Sequence, residues 1–238
     1  MGIRINFFWY GDNFHYLHYL TLRSHIYVGH DVIIHLHGNC PNSIYWDIIS
    51  NNIIIKDAET IFSINNFLNA GGNIKTASDL WRFHFLYEHG GWYSDCDAVA
   101  LKPWDIKTEW MLCSGETKEN TLSIGVIKSP AGEMLFRECI NNIKYNWGNV
   151  DVLSKIYKEY KNNNRFLTNP VVYDSEYFYP VLWNEYNKLL DDIKIPEKSL
   201  SIHLFNTMFE REYGFENLES LVMQNKNSLL YKLHQKYC

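Results

Sequence analysis

Asp95 and Asp97 are separated by one residue in a run from Ala77 to Pro103 that reads ASDLWRFHFLYEHGGWYSDCDAVALKP. If the chain there is extended, alternate side chains share a face, and the two carboxylates project together from Cα positions roughly 6–7 Å apart. Ser94 and Cys96 then face the other way. Carboxylates about 4 Å apart repel by roughly 4 kcal/mol at an effective dielectric near 20, so the pair needs protonation, water or a cation. A hard divalent cation, Mn²⁺ or Mg²⁺, is the natural counter-charge, and such an ion commonly shares its carboxylates with substrate phosphates. An acidic loop in solvent is the other reading of an isolated D-x-D.

Two elements must hold this pair. Upstream, the sequence predicts a helix over 77–89. Thr76 or Ser78 can cap it, Asp79 falls in its first turn where the dipole favours a carboxylate, and Gly90 supplies a left-handed stop. Leu80, Phe83, Leu86 and Tyr87 recur at helical spacing, leaving Asp79 and Arg82 as neighbours on one polar edge. An ordinary surface ion pair has the same signature. Arg82 also carries a fork of donors suited to hydroxyls or phosphate oxygens, and Asp79 accepts from hydroxyls. Downstream, a strand is predicted over 92–98, and the Gly90-Gly91 turn lets both acidic elements meet one ligand.

Around this centre the chain alternates strands and helices, the pattern of an α/β fold. A strand is predicted over 3–10, a helix opened by Asp12 over 12–27, and a strand over 31–36. Its end at His37-Gly38-Asn39 is where a nucleotide lies in an open α/β sheet, which makes Asn39 a candidate base or ribose contact. Residues 41–62 read as a short helix and a short strand, 121–127 as a strand, and 151–161 as a helix. The helix over 131–145 turns Leu135, Phe136, Cys139, Ile140 and Ile143 inward; 164–199 is irregular; 216–235 is a last helix.

The segment 77–103 resembles the donor-binding core of glycosyltransferase family 32, the sugar-binding D-x-D group, and the glucosyltransferase domains of large clostridial toxins. Five further patches agree with it in the family's order. Phe7-Phe8-Trp9-Tyr10-Gly11 is similar to the opening strand, and Lys128-Ser129-Pro130 to the segment behind the active site. Thr168-Asn169-Pro170, Phe178-Tyr179-Pro180 and Ser201-Ile202-His203-Leu204-Phe205-Asn206 resemble its later motifs, with Asn169 in place of a glycine and Phe205 in place of a frequent tryptophan. The resemblance implies a single GT-A-like nucleotide-sugar-binding domain, a central mixed sheet flanked by helices with a C-terminal helical addition. Residues 1–127 are then its nucleotide-sugar-binding half and 128–238 its acceptor-side half.

It further implies that Asp79, Arg82, Asp95 and Asp97 form the catalytic set. The donor, a UDP- or GDP-sugar, would meet Trp9, which stacks on the base, Tyr10, Asn39, Ser78, Asp79, Arg82, Tyr93 and Asp95. Asp97 and His203 would hold Mn²⁺ or Mg²⁺, and a hexose or deoxyhexose would pass to a hydroxyl of a glycan or glycoconjugate. Retention of anomeric configuration is implied; an inverting reaction needs a carboxylate base, for which Asp174 and Glu176 are the sequence candidates. Two other readings compete. Haloacid-dehalogenase-like phosphatases also use Asp-x-Asp, but after an apolar strand near the start of the chain. A nucleotide-sugar or glycan binding module without turnover would keep the same polar positions.

Composition bounds the rest. A chain of 238 residues with 46% hydrophobic content supports one sizeable core. A net charge of −5 without a basic block gives nucleic acid no electrostatic footprint. Five scattered cysteines without C-x-x-C spacing read as free thiols of a reducing compartment. No run approaches the ~20 apolar residues of a membrane span, and a cytoplasmic protein is expected. His15, His18, His25, His30, His35, His37, His84 and His89 show no metal-ligand spacing and are read as structural or solvated.

Overall fold

The chain Arg4–Tyr10 forms strand β1, which buries Ile5 and Phe7 on one face and Asn6 and Phe8 on the other. A computed structural model describes residues 2–115, 121–143, 151–166 and 168–238. After β1 come α1 (Tyr16–Tyr27), β2 (Asp31–His37), α2 (Ile44–Ser50), β3 (Ile54–Asp57), α3 (Ile64–Asn69) and α4 (Ile74–Glu88). Strands β4 (Gly91–Ser94), β5 (Ala98–Ala100), β6 (Met111–Cys113) and β7 (Val126–Ser129) follow, then α5 (Met134–Asn142) and α6 (Val152–Asn162). The chain continues through β8 (Val171–Tyr173), β9 (Ser201–His203), α7 (Asn206–Tyr213), α8 (Leu218–Gln224) and α9 (Leu229–Tyr237).

Seven strands make one mixed sheet in the order β3-β2-β1-β4-β7-β6-β8. Strands β3, β2, β1 and β4 run parallel, as crossovers through α1, α2 and α4 require, while β7 is antiparallel to both of its neighbours. On one face Phe8, Trp81, Leu86, Ile127 and Phe136 join α4 and α5 to the sheet. On the other, Phe7, Trp92, Trp104 and Phe178 form an aromatic layer. Trp81 and Trp104 are fully buried, and each satisfies its indole N–H on a backbone carbonyl, that of Ala58 and of Leu200. A separate ribbon pairs β5 with β9, placing Ala98 opposite His203. No helix among the described residues is long and apolar enough to cross a membrane.

Several predicted boundaries move. The side chain of Asn73 caps α4 by accepting from the Thr76 N–H, so Thr76 and Ser78 lie inside the helix and Asp79 sits beyond its first turn. An asparagine before a run of helix formers satisfies an orphan N–H as well as serine does. Helix α1 begins at Tyr16 rather than after Asp12, because the His15 and His18 rings complete a reciprocal cap. The strand predicted over 92–98 is two strands with Asp95-Cys96-Asp97 in the turn between them. The strand predicted over 121–127 lies later, at Val126–Ser129. The last predicted helix is broken: Ser228 caps α9 afresh after the Asn225-Lys226-Asn227 stretch. Lys144 and Tyr145 of the helix predicted over 131–145 lie outside the described residues, as does Leu167 of the irregular stretch.

Two buried histidines tie α1 to the ribbon. His30 Nε2 accepts from the Trp104 N–H, so its Nδ1 proton points at His25 Nδ1, 2.9 Å away, and His25 Nε2 donates to the Ala98 carbonyl at 2.9 Å. Each ring is thereby fixed as one neutral tautomer. Burial and His30 lower His25 to about 3; burial lowers His30 to about 4; burial, Lys56 and His89 lower His35 to about 4. An unfolded histidine titrates near 6.5, so below that pH the unfolded chain takes up protons that the native rings refuse. Stability is therefore whole above about pH 6.5 and falls toward pH 4, by about 1.4 kcal/mol per pH unit for each ring and about 4 for the three. Urea unfolding followed by tryptophan fluorescence should show a steep loss between pH 6 and pH 5. A flat profile across that interval contradicts the neutral relay.

Candidate active site

Lys75, Ser78, Asp79 and Arg82 occupy successive turns of one face of α4 and line a cavity of about 510 Å³. Helix α4 stops at the left-handed Gly90, where a β-carbon would lie 2.5 Å from the Ala131 nitrogen, and Gly91 opens β4. That strand carries the D-x-D turn to the same cavity, with Tyr93 buried behind it. The turn is anchored at both ends: the Asp95 N–H donates to the Gly125 carbonyl at 2.7 Å, and the Ala98 N–H to the Asp95 carbonyl at 3.2 Å. The carboxylates thus converge through a turn rather than through strand alternation. Cys96 points away, its thiol toward the Phe8 carbonyl.

Arg82 is only 5% exposed. Its guanidinium donates to the Ile124 carbonyl at 2.7 Å, lies 3.1 Å from Asp95 Oδ1 and 3.5 Å from Asp79 Oδ1, and stacks 4.7 Å over the Tyr93 ring. The Tyr93 hydroxyl donates to the same Asp95 oxygen at 2.7 Å. Burial works against the Arg82 charge, but Asp95, Tyr93 and Asp79 outweigh it and raise its pKa. Enclosure pushes the Asp95 carboxyl up; Arg82 opposes this, Asp97 adds to it, and the net shift is upward.

Asp97 behaves differently. Burial again pushes upward, yet His203 and the Asn206 backbone N–H hold its pKa below the usual carboxylate range. His203 Nε2 stands 3.0 Å from Asp97 Oδ1, and the Asn206 N–H donates to Oδ2 at 3.2 Å. Asp95, Asp97 and His203 each offer a ligand atom within 4.8 Å of the others. The β5–β9 ribbon brings His203 there, and the Leu204 N–H closes it onto the Asp97 carbonyl at 2.7 Å. Phe205 then adopts the left-handed conformation at φ +55, a strain of about 1 kcal/mol that turns Asn206 back toward the aspartate.

Of the sequence-predicted residues, Trp9, Ser78, Asp79, Arg82, Asp95, Asp97 and His203 line this cavity. Trp9 donates to the Gly11 carbonyl and packs edge-on against Phe14 and His18. Tyr93 lies beneath Arg82 and reaches the site through Asp95. Tyr10 and Asn39 do not line it: Tyr10 is exposed and stacks on His37, which borders a second recess at the ends of β2 and β3, and Asn39 is exposed beyond Gly38. Asp174 and Glu176 stand outside the cavity, both near Lys198.

Three contributors were missed. Asn206 is 3% exposed, and neither side-chain amide atom has a hydrogen-bond partner among the described residues. Its spacing of three from His203 was the available signal. Gly125 admits the turn: a β-carbon there would stand 2.8 Å from Asp95 Oδ2. Glu210 lines the cavity from α7.

Residues 27–112 match the family described as a glycosyltransferase sugar-binding region containing a DXD motif. Among solved structures, the apo form of the glycosyltransferase GlyE of Streptococcus pneumoniae TIGR4 aligns with a TM-score of 0.53 and 11% identity, over 86% of this chain and 55% of that one. The PaToxG glycosyltransferase aligns with a TM-score of 0.45 and 12% identity, over all of this chain and 77% of that one. The chain spans about half the length of GlyE, and the shared feature is the GT-A-like α/β fold. No curated protein matches the sequence.

Proposed function

We propose that this enzyme moves a hexose or deoxyhexose from a UDP- or GDP-sugar to a hydroxyl of a glycan or glycoconjugate, a reading supported by the match of residues 27–112 to the sugar-binding region of DXD glycosyltransferases. One observation carries the reading: Asp95, Asp97 and His203 cluster within 4.8 Å in the cavity that also holds Asp79 and Arg82. The donor set fits a hard divalent ion, Mn²⁺ or Mg²⁺. It combines Asp95, Asp97, whose pKa is held low, and the buried His203 with the Asn206 carboxamide, which has no hydrogen-bond partner among the described residues. When bound, such an ion supplies positive charge to the diphosphate that departs.

The remaining roles belong to side chains. Asp79 accepts from donor-sugar hydroxyls, and Arg82 orients Asp95, whose second oxygen faces the sugar and ribose. Tyr93 fixes the first oxygen. Trp9 presents an aromatic face for the base. Tyr10 and Asn39 belong to this proposal only as outer contacts of the nucleotide. The halves 1–127 and 128–238 are read as donor side and acceptor side, and the five free cysteines support a cytoplasmic setting.

The test is a thermal-shift screen of UDP, GDP and their sugars with Mn²⁺ or with EDTA. A ligand present at a hundred times its Kd adds about 2.7 kcal/mol of apparent stability. Stabilisation by a nucleoside diphosphate only when the ion is present supports the reading. Uniform absence of stabilisation by every nucleotide overturns it.

A further inference from the structure

On the α1 and α7 side of the cavity, His15, His18 and Glu210 bring one ligand atom each within 4.8 Å of the others. Their hydrogen bonds argue against a second cation seat. His15 Nδ1 accepts from the Leu17 N–H at 3.2 Å, and His18 Nδ1 accepts from the His15 N–H at 3.3 Å. Both rings therefore carry their proton on Nε2, and neither has a lone pair to give an ion without opening the cap of α1. His15 uses its proton to hold Glu210 Oε1 at 2.8 Å. His18 Nε2–H has no partner among the described residues, although the ring is only 7% exposed and borders the cavity against the Trp9 indole. Glu210 Oε2 is likewise without a partner among the described residues.

From this geometry we propose that Glu210, clamped by His15 and flanked by the His18 N–H, is a subsite for a vicinal diol. It rests on the glycosyltransferase reading above. A carboxylate beside a fixed N–H donor matches a pair of sugar hydroxyls, which both donate and accept. It does not match a phosphate, which Glu210 would repel with no cationic side chain paired to it. The adjoining Trp9 face suits the flat base or sugar ring that carries such a diol. Two sources share this chemistry: the ribose of the donor nucleotide and the acceptor sugar.

Calorimetry separates them, using UDP, GDP and their 2′-deoxy forms with Mn²⁺ on wild type and Glu210→Ala. A ribose at the subsite makes wild type prefer the ribonucleotide by about tenfold, the worth of one charge-assisted hydrogen bond. The variant then loses that increment and keeps only the discrimination Asp95 supplies, and its remaining nucleotide binding shows that it is folded; an undiminished preference in the variant overturns a ribose at Glu210. An acceptor at the subsite leaves nucleotide binding equal in both proteins. Methyl glucoside, galactoside or mannoside then changes the rate of donor hydrolysis in wild type and not in the variant. With nucleotide bound, a wild type indifferent to both the 2′-hydroxyl and the glycosides overturns the diol subsite and leaves the donor site standing. Absence of any nucleotide binding overturns the parent reading and the subsite with it.

Discussion

Asp97→Ala should lower ion-dependent transfer or donor hydrolysis by about 10³-fold or more, because it removes the carboxylate on which His203 and Asn206 both converge. The loss in stability should be small, about 1–2 kcal/mol, since Asp97 sits in a turn that its backbone bonds already anchor. The distinguishing readout is the thermal shift. Wild type should gain stability with Mn²⁺ and nucleotide together, whereas the variant should unfold at the same temperature with and without the ion. Turnover at the wild-type rate in Asp97→Ala would remove the ion from the mechanism.

Arg82→Ala should be the most destabilising single change in the site. It strips the Asp95 and Asp79 carboxylates of their cation and leaves the Ile124 carbonyl without its donor. Breaking a buried pair by removing one partner costs about 3–5 kcal/mol, which lowers the melting temperature of a chain this size by about 10 °C. Arg82→Lys restores charge but not the fork that reaches three oxygens, so it should recover part of the stability and little of the donor affinity. A melting temperature within 2 °C of wild type for Arg82→Ala would mean that the guanidinium is not the hub the contacts describe.

Asp79, Arg82 and the D-x-D pair were legible because α4 has a strong apolar period and two glycines mark its end. Their convergence was anticipated correctly, though for the wrong local reason. A one-residue spacing aligns two carboxylates in a strand, but here Gly125 and the Asp95 carbonyl fold the same residues into a turn. The alternation of elements makes the α/β architecture readable, whereas the mixed character of the sheet, set by the antiparallel β7, follows only from the family resemblance. The C-terminal helices were not, because one apolar period runs through 218–233 while Ser228 interrupts the backbone with a new cap. Asn206 and Glu210 escaped notice for a different reason. Each meets its partner across long sequence separation, and neither residue type in a polar helix separates a surface position from one facing a cavity. The sequence reads His15 and His18 as structural, and their backbone caps do serve that purpose. What the sequence could not show is that the same caps leave two protons aimed at one cavity wall.

The ribbon that seats His203 beside the D-x-D turn also sets a timetable. Asn206 reaches Asp97 across 109 residues of chain, whereas the helix holding Arg82 is a near neighbour. Closing so long a loop is slow compared with local folding. During synthesis both aspartates leave the ribosome at least 109 residues ahead of Asn206, so the side chains that converge on Asp97 stay apart until β9 and the start of α7 have been made.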